Sequence, residues 1–375
     1  MWLVPALRFP GFKNSWDSTI LEKFSKKIGD GIHSTPSYDD DGTFYFINGN
    51  NLNRGKIVIT SSTKRVSEKE AYKNNAENLE ADSILMSING TIGNVALYNN
   101  EPIMLGKSAC YINSKDNVDK KFLFYYLQYP KTQSYFEAEL TGTTIKNLSL
   151  QSIRKTKICI PTIEEQHKIS HFLQKIDERI ATQNKIIEKL ETLIKGIRNY
   201  VLNNKLQNTT KKKLGELCTI TTGKLDANAM KSEGLYPFFT CAEEVYRIDS
   251  FAFDTEALLV SGNGANLGYI HYYKGKFNAY QRTYVLSNFI EDIHYIQIYL
   301  EAYLHKRIAL EKSTSNTPYI VLATLAEMPI IIPNIKIQKD ISNKILILKS
   351  KLITEIHIRN CYKDMRQFLL SQMFI

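Results

Sequence analysis

The strongest constraint on this chain is internal, because it says the same thing twice, 172 positions apart. Residues 157–201 read KICIPTIEEQHKISHFLQKIDERIATQNKIIEKLETLIKGIRNYV, and residues 328–373 read MPIIIPNIKIQKDISNKILILKSKLITEIHIRNCYKDMRQFLLSQM. Without a gap, Pro161 falls on Pro333, Gln166 on Gln338, Ile169 on Ile341, Leu173 on Ile345, Ile176 on Leu348 and Ile180 on Leu352. Each copy is a short apolar strand, a proline, and a long helical pattern, which implies two equivalent modules each followed by a long helix. The text upstream agrees: LMSINGTIG (Leu85–Gly93) parallels LVSGNGANLG (Leu259–Gly268) with one inserted residue.

The first long helix carries a heptad seam of Ile169, Leu173, Ile176, Ile180, Ile187, Leu190 and Ile194, broken by Gln183. From Ile163 to Lys205 it would run about 65 Å at ~1.5 Å per residue. The second copy keeps Ile341, Ile345, Leu348 and Leu352, then places Glu355 and Arg359 on the seam. One long helix after each module is most simply buried against the other, antiparallel, as a coiled coil with a module at either end. The expected class is therefore α+β with an internal pseudo-two-fold repeat: a globular domain over 1–158, a spacer helix over 159–207, a second domain over 208–330 and a C-terminal spacer helix over 331–375. Within the domains, TFYFING (Thr43–Gly49), GKIVIT (Gly55–Thr60) and DSILMSING (Asp82–Gly90) read as strands. EALLVSGNGANLGYIHYY reads as a strand pair, and Asp119 is placed to cap a helix that breaks at Pro130.

The chain has 375 residues, 43% apolar and 23% charged, enough for two real cores. A formal charge of +10 points to a polyanionic partner, nucleic acid ahead of a membrane surface. The five cysteines are scattered and odd in number, which suits small core residues in a reducing cytoplasm. With no apolar run of about 18 residues and no signal-peptide pattern, a cytoplasmic location is expected and no membrane association.

Catalytic text is missing. NTPYI (Asn316–Ile320) lacks the second proline of an amino-methyltransferase tetrapeptide, and SGNGANLG has the wrong spacing for a dinucleotide fold and leads into a strand. Gly106–Ser108 reads GKS, without the upstream glycine of a phosphate loop. No His or acidic cluster has metal-ligand spacing. The chain is thus expected to be no enzyme, with no metal and no cofactor of its own.

At this point the residues closely resemble a family: the DNA-specificity subunits of type I restriction–modification enzymes. VPALRFPGF (Val4–Phe12) with Trp16 is similar to the family's lead-in. Residues Gly29–Ile57 and Thr222–Cys241 look like openings of its two target-recognition domains, IPTIEEQHKISHFLQKID (Ile160–Asp177) like its central spacer, and LLSQMFI (Leu369–Ile375) like its C-terminus. The second spacer departs from the pattern, with Ile337 where the first has Glu165, so a helix N-terminal or partner contact should differ there. The resemblance implies that each domain reads one half of an asymmetric, two-part target on double-stranded DNA, with the helices fixing the gap. It also implies two modification subunits methylating adenine N6 with S-adenosylmethionine, and two restriction subunits using ATP and Mg.

Phosphate contacts give affinity and base-edge contacts give specificity, so loop residues of suitable chemistry are the candidates. In the first domain these are His33, Ser34, Thr35, Arg54, Lys64, Arg65, Asn89, Thr91, Thr143, Thr144 and Lys146. In the second they are Arg247, Asn263, Asn266, Lys274, Lys276, Gln281, Arg282, Thr283, Ser315 and Asn316. Two other readings compete: a coiled-coil scaffold presenting two protein-binding modules with no DNA role, and a fused methyltransferase, against which the missing donor motifs argue.

Overall fold

A computed structural model of the chain describes residues 3–53, 55–74, 76–142, 146–203, 209–310 and 319–375. They form two compact units, residues 1–184 with 357–375, and residues 185–356. The division passes through both long helices, Ile163–Asn203 and Ile335–Gln372, so each helix gives one segment to each unit.

In the first unit, strands Ser25–Asp30, Ala109–Ser114, Ser83–Ser87 and Val95–Leu97 lie side by side in that order, all antiparallel. A second sheet sets Phe44–Ile47 antiparallel to Arg65–Val66 and parallel to Ile103–Leu105. The second unit repeats this order in one six-stranded sheet: Thr219–Thr222, Thr283–Ser287, Phe253–Ser261, Ile270–Ala279, Tyr236–Phe239, Tyr246–Ile248. One continuous strand, Ile270–Ala279, does there what two shorter ones, Val95–Leu97 and Ile103–Leu105, do in the first unit. Of the strand expected over Gly55–Thr60, Lys56–Ile57 pairs as a strand and Gly55 bridges to Ala96, while the Thr60 amide is taken by the Thr63 hydroxyl (2.8 Å) in a turn.

The joints between sheet and long helix are also repeated. Asp17–Ile20 pairs antiparallel with Lys157–Ile160, and Thr210–Lys213 with Pro329–Ile332. After each proline the helix begins, and a buried glutamine five residues on folds back. Gln166 Nε2 donates to the Pro161 carbonyl (3.0 Å), and Gln338 Nε2 to the Pro333 carbonyl (2.8 Å). The same amides accept through Oε1 from the backbone N–H of Asp119 (2.8 Å) and of Asp292 (3.0 Å). Those aspartates in turn cap helices: Asp119 Oδ1 accepts from Phe122 N (2.7 Å) and Asp292 Oδ1 from Tyr295 N (2.8 Å). The proline-to-glutamine spacing seen in the sequence is thus a buried joint that locks three chain segments in each unit.

The helix Lys120–Leu127 is apolar nearly all round because the first core surrounds it, Phe122 to Leu127 all being buried. Pro130 opens the next helix at its first position, Pro130–Ala138. The first core is closed by Leu369 and Leu370 from the last turn of the second long helix and by Met373 and Phe374 just beyond it. Phe374 packs on Phe122 and Tyr126 with ring centroids 5.4 Å apart in each case, and Tyr126 Oη donates to the Ile375 carbonyl (3.0 Å). On the seam, Ile169, Leu173, Ile176, Gln183, Ile187, Leu190, Ile194, Ile341 and Ile345 are buried, and Ile180, Leu348 and Leu352 half-buried.

Each unit ties its domain helix to both long helices through charge, with the signs redistributed. In the first, Arg366 Nε donates to Asp177 (2.5 Å) and its Nη2 to Gln128 (2.8 Å), while Tyr125 Oη donates to Asp177 (2.8 Å). In the second the carboxylate sits on the domain helix: Glu301 accepts from Arg198 and from Lys349 (3.0 Å).

Among the cysteines, Cys110, Cys159 and Cys218 are buried and Cys361 is exposed. Burial pushes the Cys110 and Cys218 thiols up to about 12 from the ordinary 9.0. Each therefore keeps its proton in the folded protein where the unfolded chain would lose it, so its contribution to stability is present below about 9 and is lost as pH rises toward 12. At pH 8.5 a thiol reagent is expected to label Cys361 quickly and to leave Cys110 and Cys218 untouched until denaturant is added, as read by peptide mass spectrometry. Early labelling of Cys110 would contradict this core.

Candidate nucleic-acid interface

In each unit the ends of several strands converge on one cluster of turns, and the two clusters are wired alike. In the first, Ile88 N donates to the Ser108 carbonyl (2.9 Å), Leu148 N to the Ile88 carbonyl (2.9 Å), and Gly106 N to the Ile47 carbonyl (2.9 Å). In the second, Gly262 N donates to the Arg282 carbonyl (2.9 Å), Ile320 N to the Gly262 carbonyl (2.8 Å), and Tyr280 N to the Phe239 carbonyl (2.9 Å). Isolated bridges repeat as well, Asn89 with Asn147 and Asn263 with Tyr319. A parallel bridge joins Ile32 to Gly106 in one unit and Leu225 to Tyr280 in the other. Ser108 thus corresponds to Arg282, Gly106 to Tyr280, and Asn89 to Asn263.

Glycine makes these turns possible. Gly90 and Gly93 (φ +74° and +77°) and Gly264 and Gly268 (φ +81° and +82°) take the left-handed conformation that side chains resist. At Gly106 a Cβ would stand 2.4 Å from Asn48 Oδ1.

The structure brings part of the expected set to these clusters. Asn89 and Thr91 flank the first hairpin turn, Thr91 Oγ1 donating to the Gly49 carbonyl (3.4 Å), and exposed Lys146 adjoins the Asn89–Asn147 bridge. His33, exposed and 2.8 Å from Asp30 Oδ2, follows the Ile32–Gly106 bridge, with Ser34 and Thr35 exposed beyond it. In the second unit Asn263, Asn266, Gln281 and Arg282 gather. Asn266 Nδ2 donates to the Cys241 carbonyl (3.3 Å), Gln281 Nε2 to Asp226 (3.2 Å), and Arg282 is exposed.

Others stand elsewhere or inside. Arg65 lies over the Tyr45 ring (5.0 Å) beside the short strand it begins, and Lys64 over Tyr38 (5.9 Å). Arg247 is exposed on Tyr246–Ile248, while Lys274 and Lys276 stand on Ile270–Ala279. Of these last two, Lys274 is 3.9 Å from Glu256 and Lys276 over Phe251 (4.7 Å). Thr283 departs from expectation: it is fully buried, the first residue of its strand and paired with Ser261, so its hydroxyl has no surface from which to meet a base. Arg54, Thr143, Thr144, Ser315 and Asn316 lie outside the described residues. Sequence reasoning missed the turn Gly106–Ser108, dismissed only as a phosphate loop. Extending the LMSING–LVSGNG correspondence downstream to GKSAC and YQRTY would have found it.

No group of three or more His, Cys, Asp or Glu among the described residues could hold a metal ion, and no described helix is long and apolar enough to cross a membrane. The sequence profile of the type I restriction modification DNA specificity domain matches twice, at residues 16–192 and 207–359, one match for each turn cluster. The chain belongs to that family. The type I restriction enzyme EcoDI specificity subunit of Escherichia coli is 43% identical over 132 residues, which is 35% of this chain and less than a third, 29%, of that protein. A putative type I specificity subunit of Mycoplasma genitalium, S.MgeORF438P, is 23% identical over 99% of this chain and 97% of its own length. The crystal structure of a type I restriction-modification S subunit from M. genitalium superposes with a TM-score of 0.71 at 20% identity, covering 100% of this chain and 99% of that one, and so shares the fold. Two copies of a DNA specificity domain, in an α+β fold repeated within one chain, are what the family and the structure have in common.

The departure at Ile337 has a local cause. Glu165, 1% exposed, receives Arg8 Nε (2.7 Å) and Nη2 (2.7 Å), and this hydrogen-bonded pair raises the Arg8 guanidinium above its ordinary value. Arg8 belongs to the lead-in, which also packs Phe9 on Phe172 (5.7 Å) and donates from Leu7 N to the Gln372 carbonyl (2.9 Å). In the second unit Ile337 packs on the core, and at the place of Phe172 stands Lys344, paired with Asp340 (2.6 Å).

Proposed function

We propose that this chain is the sequence-reading subunit of a type I restriction–modification complex, recognising an asymmetric, two-part target on double-stranded DNA. The observation that carries the proposal is the doubled specificity domain with the same turn cluster in each copy. Similar but non-identical surfaces suit two half-sites of different sequence. The reading assigns residues 1–158 and 208–330 to target recognition, and 159–207 and 331–375 to two antiparallel helices that form a coiled coil and set the gap. Burial of Ile187, Leu190 and Ile194 at heptad spacing supports that helix pairing. Base contacts would come from His33, Asn89 and Thr91 in one half and from Asn263, Asn266, Gln281 and Arg282 in the other. Exposed Lys64, Arg65, Lys146, Arg247, Lys274 and Lys276 would engage phosphates, consistent with the net charge of +10.

The chemistry in this reading belongs to partners in the cytoplasm. Two modification subunits would transfer a methyl group from S-adenosylmethionine to adenine N6, and two restriction subunits would use ATP and Mg to translocate and cut. The test is a genome-wide map of N6-methyladenine in the native host with this gene intact and deleted. Loss of one gapped motif on deletion is the expected result; identical methylation in both strains would overturn the proposal.

A further inference from the structure

We infer that Lys107 is a specificity-determining residue for one half of the target, occupying in the first unit the turn that Gln281 and Arg282 occupy in the second. The inference rests on the DNA-reading function proposed above. The correspondence is set by backbone connectivity, independent of side-chain type. Ser108 and Arg282 each accept from the residue that opens the hairpin turn, Ile88 or Gly262, and Gly106 and Tyr280 each donate to the end of the neighbouring strand, Ile47 or Phe239. Lys107 therefore stands at the position of Gln281, one residue before the position of Arg282.

What fills the turn differs in a telling way. Ser108 points inward: its hydroxyl donates to Asn48 Oδ1 (2.8 Å) and accepts from Gly49 N (2.9 Å). Asn48 is held in turn, its N donating to Asn51 Oδ1 (3.0 Å), and Gly106 leaves room for the Asn48 amide where a Cβ would collide. The turn is pinned from below by this network, and Lys107 is the exposed residue at its tip, without a side-chain partner among the described residues. In the second unit the cation is one place later, Arg282, also exposed, while Gln281 is held by Asp226. Among the described residues, each unit thus presents an unpaired cation on a turn that is bonded to the residue before an asparagine, Asn89 or Asn263. A cation held in place can read the acceptors of a guanine edge in the major groove, and a site held by such a network loses little on ordering. The lone lysines of flexible loops, by contrast, suit phosphates.

The experiment compares Lys107→Ala, Lys107→Gln and Arg282→Ala with the wild-type chain by mapping N6-methyladenine in the native host. Loss of a base contact costs about tenfold in discrimination. The expected result is that the Lys107 variants relax one or two positions in one half of the motif by about tenfold, while Arg282→Ala relaxes the other half. The half left unchanged in each case reports an intact fold. Unchanged preference in both halves, or an even fall in methylation over all targets as loss of a phosphate contact would give, overturns the inference. So does relaxation of the same half by both substitutions. Absence of any gapped motif in the wild-type strain would instead sink the DNA-reading function itself.

Discussion

Inserting four residues into both long helices, after Asn184 and after Ile356, is expected to lengthen the gap in the recognised DNA site by one or two base pairs while both half-sites stay the same. Four residues add about 6 Å of helix and turn the chain only ~40° beyond a full revolution, so the apolar seam keeps its face. A base pair rises about 3.4 Å. The insertion points are the places where each helix passes from one unit to the other. A site further on, at Gly196, would meet Ile197 and Arg198, which are already bound into the second unit. Inserting two residues at each point is the companion variant, since it rotates the seam by ~200° and should abolish recognition of any gapped site. The readout is the methylation motif in each strain. A gap that stays constant after the four-residue insertions would mean that the helices do not set the spacing.

The second large effect is expected at the lead-in. Arg8→Ala leaves Glu165 buried without the arginine that pairs with it, and should destabilise the first unit by about 3 kcal/mol. Glu165→Ala should cost less, because Arg8 is closer to solvent and keeps the Asn14 carbonyl (2.8 Å). The converse change, Ile337→Glu, places a carboxylate against the second core, and is expected to cost about 2 kcal/mol in the other unit. Urea denaturation gives the totals, and amide hydrogen exchange shows which unit loosens. Equal loss in both units for Arg8→Ala, or an Ile337→Glu chain as stable as the wild type, would contradict this account.

Much of the architecture was legible because periodicity and duplication act over long stretches. Pro161 with Gln166 and Pro333 with Gln338 announced two equivalent joints, and the structure supplies the reason in two amides that close the same hydrogen bonds. The capping role of Asp119 and the hairpin at Ser261–Ile270 were readable from local chemistry. The interface was harder. Thr283 looked like a polar residue after a loop, but register on Ser261 turns it inward, and register is a tertiary property. Lys107 was hidden inside a string that invited comparison with a phosphate loop, and only the pairing of strand ends shows its likeness to Gln281. The partner of Glu165 lies 157 residues away, beyond the reach of any local pattern.

The sharing of both long helices between the units bears on how the protein is made. The second unit draws on residues 185–356 alone, all of which are synthesised before the residues that close the first core. The first unit begins earlier but cannot close its core until Leu369, Leu370, Met373 and Phe374 arrive, with Tyr126 waiting for a carbonyl 249 residues downstream. Translation therefore finishes the two halves in the reverse of their genetic order. The N-terminal half, whose synthesis begins first, therefore waits longest with an open core, exposed to proteases and chaperones.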